Sequence, residues 1–393
     1  MGPTIILDKS ALQALSENEI NILNKYYYIN IPGILIKEIL GDLHKPLITS
    51  GLEKNQSIIL AKKISLLNST INIYYRDLLI GDLLGEQVFI NAFRPYVLSR
   101  PPVVNSEGEK IVYLEQSWEE IQLEKWKSGD FSSEDELISQ KYKEMTANID
   151  LDKFKKEMAN LLSGLKKFTT IVQISNYIDN LFNDHEMQEI ILNNLFTEFN
   201  INIDMQLETR KRWNAKGKPF IIEFSAYSFY CLKVRFIFII ALINNVISTR
   251  PTNIIDLEYL YYLPFCWVIS SNDKFHKKLI YSLLNNSQFF FDGIKLKNDL
   301  KKIVNERNKI KCEIEKTEWD NNYKDFPPQH IDTLTLKICD KYFKYINSLD
   351  IHLNIKQDED IDCIIHERFV NINSLCFCGS GKKLRDCHLK GKI

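Results

Sequence analysis

The sequence predicts an α/β protein: a parallel sheet with flanking helices, a large α-helical insertion and a small C-terminal module. Three observations carry that reading. The first 43 residues alternate short β-branched runs with helical periodicity, and the same alternation resumes after about residue 245. Between them lies a long polar stretch without strand signals. The chain then ends in closely spaced cysteines.

Composition sets the outer limits. The 393 residues carry 50 Lys plus Arg against 51 Asp plus Glu, a formal net charge of −1, with 45% hydrophobic and 26% charged residues. Wholesale disorder is excluded, and so is a globally basic nucleic-acid coat, so any polyanion must meet a local patch. The opening MGPTIILDKS has no basic leader before an apolar run, which argues against a signal peptide and for a cytoplasmic location. The most apolar segment, 220–247, contains Glu223, Lys233 and Arg235. Its longest uncharged stretch, 236–249, is 14 residues, short of the roughly 20 that span a bilayer, so no membrane partner is expected.

Each element follows from its residues. Residues 4–7 form a β-branched and aliphatic run ending at Asp8. Apolar residues at helical spacing (Leu12, Leu15, Ile20, Leu23) predict a helix over 10–23, with Ser10 as its cap. Residues 26–31 read as a second strand. Pro32-Gly33 then breaks the chain before a helix over 34–43 that contains Glu38. This is a β-α-β-α opening of the kind found in parallel sheets. Helices are expected over 62–81 and 82–93, with a break at Arg100-Pro101-Pro102, and the block 117–212 reads as the helical insertion. Residues 220–246 predict one long buried helix. Arg250-Pro251 starts another, carrying Asp256 and continuing over 257–263. A β-run at 267–270 closes in Ser271-Asn272-Asp273. Beyond Asp292-Gly293 the chain reads as helix over 295–319, Pro327-Pro328 breaks it, and a last helix covers 333–349. The acidic stretch 358–362 is a linker. The expected organisation is an α/β domain over 1–310 (insertion approximately 95–218), a helical connector over 311–362, and a module over 363–393.

Five of the eight cysteines (Cys231, Cys266, Cys312, Cys339 and Cys363) are scattered singly and read as reduced small hydrophobes. The other three are not scattered. Cys376-Phe377-Cys378-Gly379-Ser380-Gly381 is followed by a basic spacer and Cys387-His388, which places four candidate ligands within 13 residues. Three thiolates and an imidazole suit tetrahedral Zn²⁺. A tail so short and polar cannot bury a core, and metal binding would supply its folding free energy. These residues resemble the SEC-C motif from Ser374 onward, with Phe377 where that family often has proline. The resemblance implies Cys376, Cys378, Cys387 and His388 as the ligands of a closed structural zinc site. It also implies a docking surface for a ribosome or protein partner.

Four acids stand out in the α/β parts: Asp8, Glu38, Asp256 and Asp273. Asp8 and Asp273 each lie just past a predicted strand, where parallel sheets bind ligands. Carboxylates converging there would repel one another unless cations neutralised them, and an oxygen-only donor set suits Mg²⁺ or Mn²⁺. A carboxylate-bound metal pair is the usual device for phosphodiester hydrolysis. The settings of these acids resemble the PIN domain, a metal-dependent nuclease family. Ile5-Ile6-Leu7-Asp8-Lys9-Ser10 matches a first strand ending in Asp with a nearby hydroxyl residue. Tyr28-Ile29-Asn30-Ile31-Pro32 leads to the helix of Glu38. Asp256, the phrase Tyr261-Tyr262-Leu263-Pro264-Phe265, and Ser271-Asn272-Asp273 match the end of the domain. The resemblance covers roughly 4–48 and 245–292. It departs from a compact PIN domain in that 217 residues lie between Glu38 and Asp256.

The resemblance implies a metal-dependent endonuclease, with RNA favoured over DNA, in a toxin, RNA-processing or antiphage defence setting. Asp8, Glu38, Asp256 and Asp273 would be its metal ligands, with Ser10 as a supporting hydroxyl. Phosphates would be gripped by Arg210, Lys211, Arg212, Lys216 and Lys218, with Lys277 and Lys278 as a second basic group. Trp213 reads either as a base-stacking platform or as a core residue. The alternative is a non-catalytic adaptor that binds nucleic acid or protein and recruits a partner through the zinc tail. An oligomer built through the insertion is compatible with both.

Overall fold

The computed structural model describes residues 2–43, 46–49, 52–67, 69, 71–86, 88, 90, 92, 103–104, 110–111 and 118–350. Strand β1 (Thr4–Leu7) is buried at every position, as expected for a strand covered on both faces. Asp8 follows it and caps α1 (Lys9–Ala14), accepting the Ala11 N–H at 2.7 Å. The single helix expected over 10–23 is two, because Leu15 is extended and Ser16 starts α2 (Glu17–Tyr26) with Glu19 accepting the Ser16 N–H. The cap of the first is Asp8, not Ser10. Strand β2 (Tyr28–Asn30) and α3 (Gly33–Gly41) follow.

A hairpin, β3 (Pro46–Thr49) with β4 (Leu52–Asn55), leads into α4 (Gln56–Leu66) and then α5 (Tyr75–Leu84). These helices replace those expected over 62–81 and 82–93. The chain between them instead makes a parallel bridge from Ile71 to Ile31 at the β2 edge. A short pair, β5 (Val103–Val104) and β6 (Lys110–Ile111), precedes the helical block. That block contains α6 (Trp118–Trp126), α7 (Ser133–Ala147), α8 (Leu151–Leu161), α9 (Ile171–Phe182), α10 (Gln188–Glu198) and α11 (Ile203–Ala215). The break at residues 100–102 and the linker at 358–362 lie outside the described residues.

The long apolar helix over 220–246 is also divided, into α12 (Ile221–Phe224) and α13 (Ala226–Ile243). Ser225 leaves the helical conformation at the break, and its hydroxyl donates to the buried Asp82 of α5 at 2.8 Å, with the Ser228 N–H and hydroxyl adding 2.9 Å bonds. Burying that carboxylate without these donors would be costly, so the serines are where the helix must break. Helix α13 is long and apolar enough to cross a membrane, yet 72% of it is buried inside the protein against α5, α8, α9 and α10. It is the centre of the core.

Then come α14 (Asn253–Leu260), β7 (Val268–Ser271), α15 (Lys274–Leu279) and β8 (Phe289–Asp292). Strand β8 was not expected from the sequence; Phe289-Phe290-Phe291 is an aromatic run whose strand character depends on a neighbour to pair with. The helix expected over 295–319 is α16 (Gly293–Asn308) and α17 (Glu313–Asn322). Gly293 is required by close approach: a Cβ there would fall 3.0 Å from that of Ala11 and 2.9 Å from Asn272 Nδ2. The last described helix is α18 (Leu334–Asp350), whose first N–H groups are satisfied by Asp299 of α16.

The central sheet has four parallel strands in the order β2-β1-β7-β8. The protein is therefore α/β, with one parallel sheet amid many helices. From β1 the chain moves outward to β2, and it later returns to β7 on the other side of β1. The direction of winding reverses between β1 and β7, and the carboxyl ends of those two strands flank a topological switch point.

Candidate functional site

Asp8 stands at the carboxyl end of β1 and Asp273 two residues past β7, so both lie at the switch point. The register pairs Leu7 with Ser270, and the Asp8 N–H donates to the Ser270 carbonyl at 3.1 Å. Local structure aims each side chain. Asp8 is held by its capping role. Asp273 caps α15, accepting the Phe275 N–H at 2.6 Å, while its own N–H donates to Ser271 Oγ at 2.9 Å.

Asp8 is heavily engaged. Its oxygens accept from Ser10 Oγ at 2.8 and 2.9 Å, from Ala11 N, and from Ser271 Oγ. His276, on the first turn of α15, is fully buried, with Nδ1 3.4 Å from Asp8 Oδ2 and 2.8 Å from Ser271 Oγ. Its Nε2 lies 2.7 Å from the Asp256 carbonyl, which can only accept, so that nitrogen carries a proton. Burial would lower the imidazole pKa, but Asp8 and Asp256 outweigh it and raise it to about 9. For Asp8, burial is likewise outweighed, by His276, Ser271 and the Ala11 N–H, and its pKa falls. The two form a buried ion pair.

Glu38 faces the same rim from α3. Its carboxylate accepts from the Tyr259 hydroxyl of α14 and lies 3.5 Å from Lys9 Nζ. Lys9 also reaches Asp42 at 3.0 Å. Burial raises the Glu38 pKa, Lys9 and Tyr259 oppose that, and Asp8 and Asp42 add to it. Asp256, on α14, differs from the others because its Oδ2 is buried with no hydrogen-bond partner among the described residues. Burial pushes its pKa up to about 7; His276 and Arg250 pull it back, while Asp273 and Glu38 push it further. Arg250 is exposed and lies 3.5 Å from Asp273 Oδ2.

The four acids singled out from sequence therefore lie within electrostatic reach of one another in a chain, Asp8 to Glu38 to Asp256 to Asp273. Their donor chemistry, oxygen only, fits a hard divalent cation, and the orphaned Asp256 Oδ2 is where one would be held. Still, among the described residues no group of three or more His, Cys, Asp or Glu has the arrangement of a metal site. Two of the acids already have a basic partner, Glu38 in Lys9 and Asp8 in His276.

The basic residues behave differently. Arg210 bonds to Asn193 and lies 3.6 Å from Glu189, and Lys218 lies 3.5 Å from Glu189. Arg212 donates to the Leu83 carbonyl and covers Phe224, as does Lys216, and Lys211 lies 3.9 Å from Glu208. Trp213 is buried and donates to the Pro219 carbonyl at 2.8 Å; it is a core residue, not a stacking platform. Lys277 pairs with Asp292, a further acid at the carboxyl end of a strand, and Lys278 is exposed at the end of α15.

Several members of the site were not singled out from sequence: Lys9, Asp42, His276, Tyr259 and Arg250. Only His276 had a signal, three residues past a capping Asp at the end of a strand. The zinc ligands expected from the sequence, Cys376, Cys378, Cys387 and His388, lie outside the described residues. A family model described as SEC-C motif matches residues 373–390, which contain all four. No curated protein and no solved structure matches the chain.

Proposed function

We propose that the protein is a metal-dependent endonuclease, acting on RNA in preference to DNA, with a PIN-like catalytic sheet and a zinc-binding SEC-C tail. One observation supports it above the rest: carboxylates from residues 8, 38, 256 and 273 share one electrostatic field at the switch point, and one oxygen among them is buried without a partner. A folded protein tolerates such an arrangement when a ligand relieves it.

Asp256 and Asp273 would hold Mg²⁺ or Mn²⁺, with Asp8 and Glu38 as further candidate ligands. The ion would supply polarisation of a phosphate and an acidified water. The chain's own groups do the rest. His276 keeps Asp8 ionised, and Ser10 and Ser271 fix the direction of its oxygens. Lys9 offsets one of the two charges of Glu38 and Asp42, so the site does not repel a polyanion with its full charge. Arg250 offers a guanidinium to an entering phosphate. Of the basic patch, Lys211 and Lys278 remain outermost, and the nucleic-acid contacts of Arg210, Arg212, Lys216, Lys218 and Lys277 require them to leave their present partners. In the tail, Cys376, Cys378, Cys387 and His388 would bind Zn²⁺ structurally and dock a protein or ribosome partner. The biological setting proposed is a toxin or antiphage role in the cytoplasm.

The test is incubation with tRNA, mRNA, and single- and double-stranded DNA in Mn²⁺ or in EDTA. Cleavage of RNA that needs Mn²⁺ and disappears in Asp273→Asn is the expected result; no cleavage by the unaltered protein in Mn²⁺ ends this reading. A second reading, a non-catalytic adaptor, draws on the counter-charges Lys9 and His276 already in place. Metal titration separates them: zinc alone fits the adaptor, zinc plus a weaker Mn²⁺ site fits the nuclease.

A further inference from the structure

Helix α7, from the inserted block, packs directly over α3, the helix of Glu38. Two features fasten it there. Ser139 is fully buried and its hydroxyl donates to the Leu40 carbonyl at 2.7 Å, adding a bond from α7 to a carbonyl that also accepts the Leu43 N–H at the end of α3. The ring of Tyr142 then lies so near Gly41 that a Cβ on that residue would fall 2.8 Å from its Cε1. Only glycine admits the ring at that distance.

The ring ends in a hydroxyl whose oxygen is buried and has no hydrogen-bond partner among the described residues. The acids whose charge it feels are Glu38, Glu258, Asp256 and Asp42. A phenol so placed is a donor without an acceptor within the field of these acids, one of which, Asp256, also has a carboxylate oxygen without a partner among the described residues. Stranding a buried polar group costs stability unless something arrives to pair with it. An anion brought in by a cation on the acids would do so. The acids are also well covered, with side-chain exposures of 5% for Asp8, 14% for Glu38 and 19% for Asp273. To bring a phosphate to acids so covered, a duplex would need α7 to leave α3, whereas a single flexible backbone asks less of that packing.

Resting on the nuclease reading above, we propose that Tyr142 is a substrate-contacting residue: its hydroxyl donates to a non-bridging phosphate oxygen of an unpaired strand, and α7 excludes duplexes. The inserted block thereby sets substrate form as well as adding bulk.

The test compares the full chain with Tyr142→Phe, a change that removes one oxygen from a folded site. The probe is fluorescein-labelled oligouridylate, alone or annealed to oligoadenylate, with binding read by anisotropy in Ca²⁺ and cleavage read in Mn²⁺. Expected are binding of the single strand at least about tenfold weaker in Tyr142→Phe, a comparable fall in kcat/KM, and an unchanged or higher Tm. The duplex should bind the unaltered protein at least about tenfold more weakly than the single strand. Equal binding by the variant, or equal binding of the duplex, overturns the proposal. A protein that binds the strand but never cleaves it loses the nuclease reading while the affinity comparison still decides the role of Tyr142. A protein that does neither loses both.

Discussion

Nδ1 of His276 lies 3.4 Å from Oδ2 of Asp8, both side chains almost wholly buried, and this pair joins β1 to the helix that follows β7. Removing one partner of a buried pair leaves the other charge uncompensated, so His276→Gln is expected to cost about 3–5 kcal/mol in urea unfolding at pH 6. The sign with pH follows from the shifts. The imidazole pKa rises from 6.5 to about 9, so its contribution is complete below about 6.5 and is lost as pH climbs through about 9. Asp8, shifted down from 3.8, contributes above that value and loses its contribution as acid is added. Stability should therefore decline from pH 6.5 to 9.5 more steeply in the unaltered protein than in His276→Gln. Parallel profiles would show the pair to be neutral.

Asp256 is shifted the opposite way from Asp8. Its pKa, raised to about 7, means the folded protein prefers the protonated carboxyl, and stability contributed by that proton is lost as pH rises from about 4 through 7. At pH 8, without metal, Asp256→Asn should stabilise the protein by about 2–4 kcal/mol. The same substitution should abolish the rise in Tm on adding Mn²⁺. The measurement is thermal unfolding with and without the ion. A variant less stable than its parent at pH 8 would mean the carboxylate already has a partner.

How much of this could be read from the residues is clearest at the two ends of β1. The strand itself, Asp8 at its end and Asp273 after β7 were legible because β-branched runs and terminal acids are local signals. The counter-ions were not. Lys9 reaches Asp42 across a helix, and His276 meets Asp8 across 268 positions of chain, distances that no periodicity encodes. Breaks inside long helices were hidden for a related reason. Ser225 interrupts an apolar run only because Asp82, far away in sequence, must be hydrogen-bonded. Strand β8 was missed because three phenylalanines specify burial, while pairing with β7 decides their conformation.

The tail makes an independent prediction. If Cys376, Cys378, Cys387 and His388 hold zinc, purified protein should carry about one zinc per chain, and Cys387→Ser should lose it. Elemental analysis after gel filtration reads this directly. Full zinc content in both Cys376→Ser and Cys387→Ser would remove these residues as ligands. The Mn²⁺-dependent cleavage proposed for the acids at the sheet should persist in either variant.

Lys9 gives the sharpest test of whether the acids take up a cation. Its ammonium lies 3.0 Å from Asp42 and 3.5 Å from Glu38, where it already supplies one positive charge. Burial would lower the Lys9 pKa, but these carboxylates outweigh it and raise it, so the charge is firmly held at neutral pH. Lys9→Met keeps the length of the stem and deletes the charge, leaving two buried carboxylates facing each other. Without metal the variant should lose about 3 kcal/mol or more. Divalent ions then have more to relieve, so Mn²⁺ should raise the Tm of Lys9→Met further than that of the unaltered protein, while Na⁺ at equal ionic strength should not. An equal rise in both proteins would show that Mn²⁺ binds away from Glu38, and Glu38 would leave the set of candidate ligands.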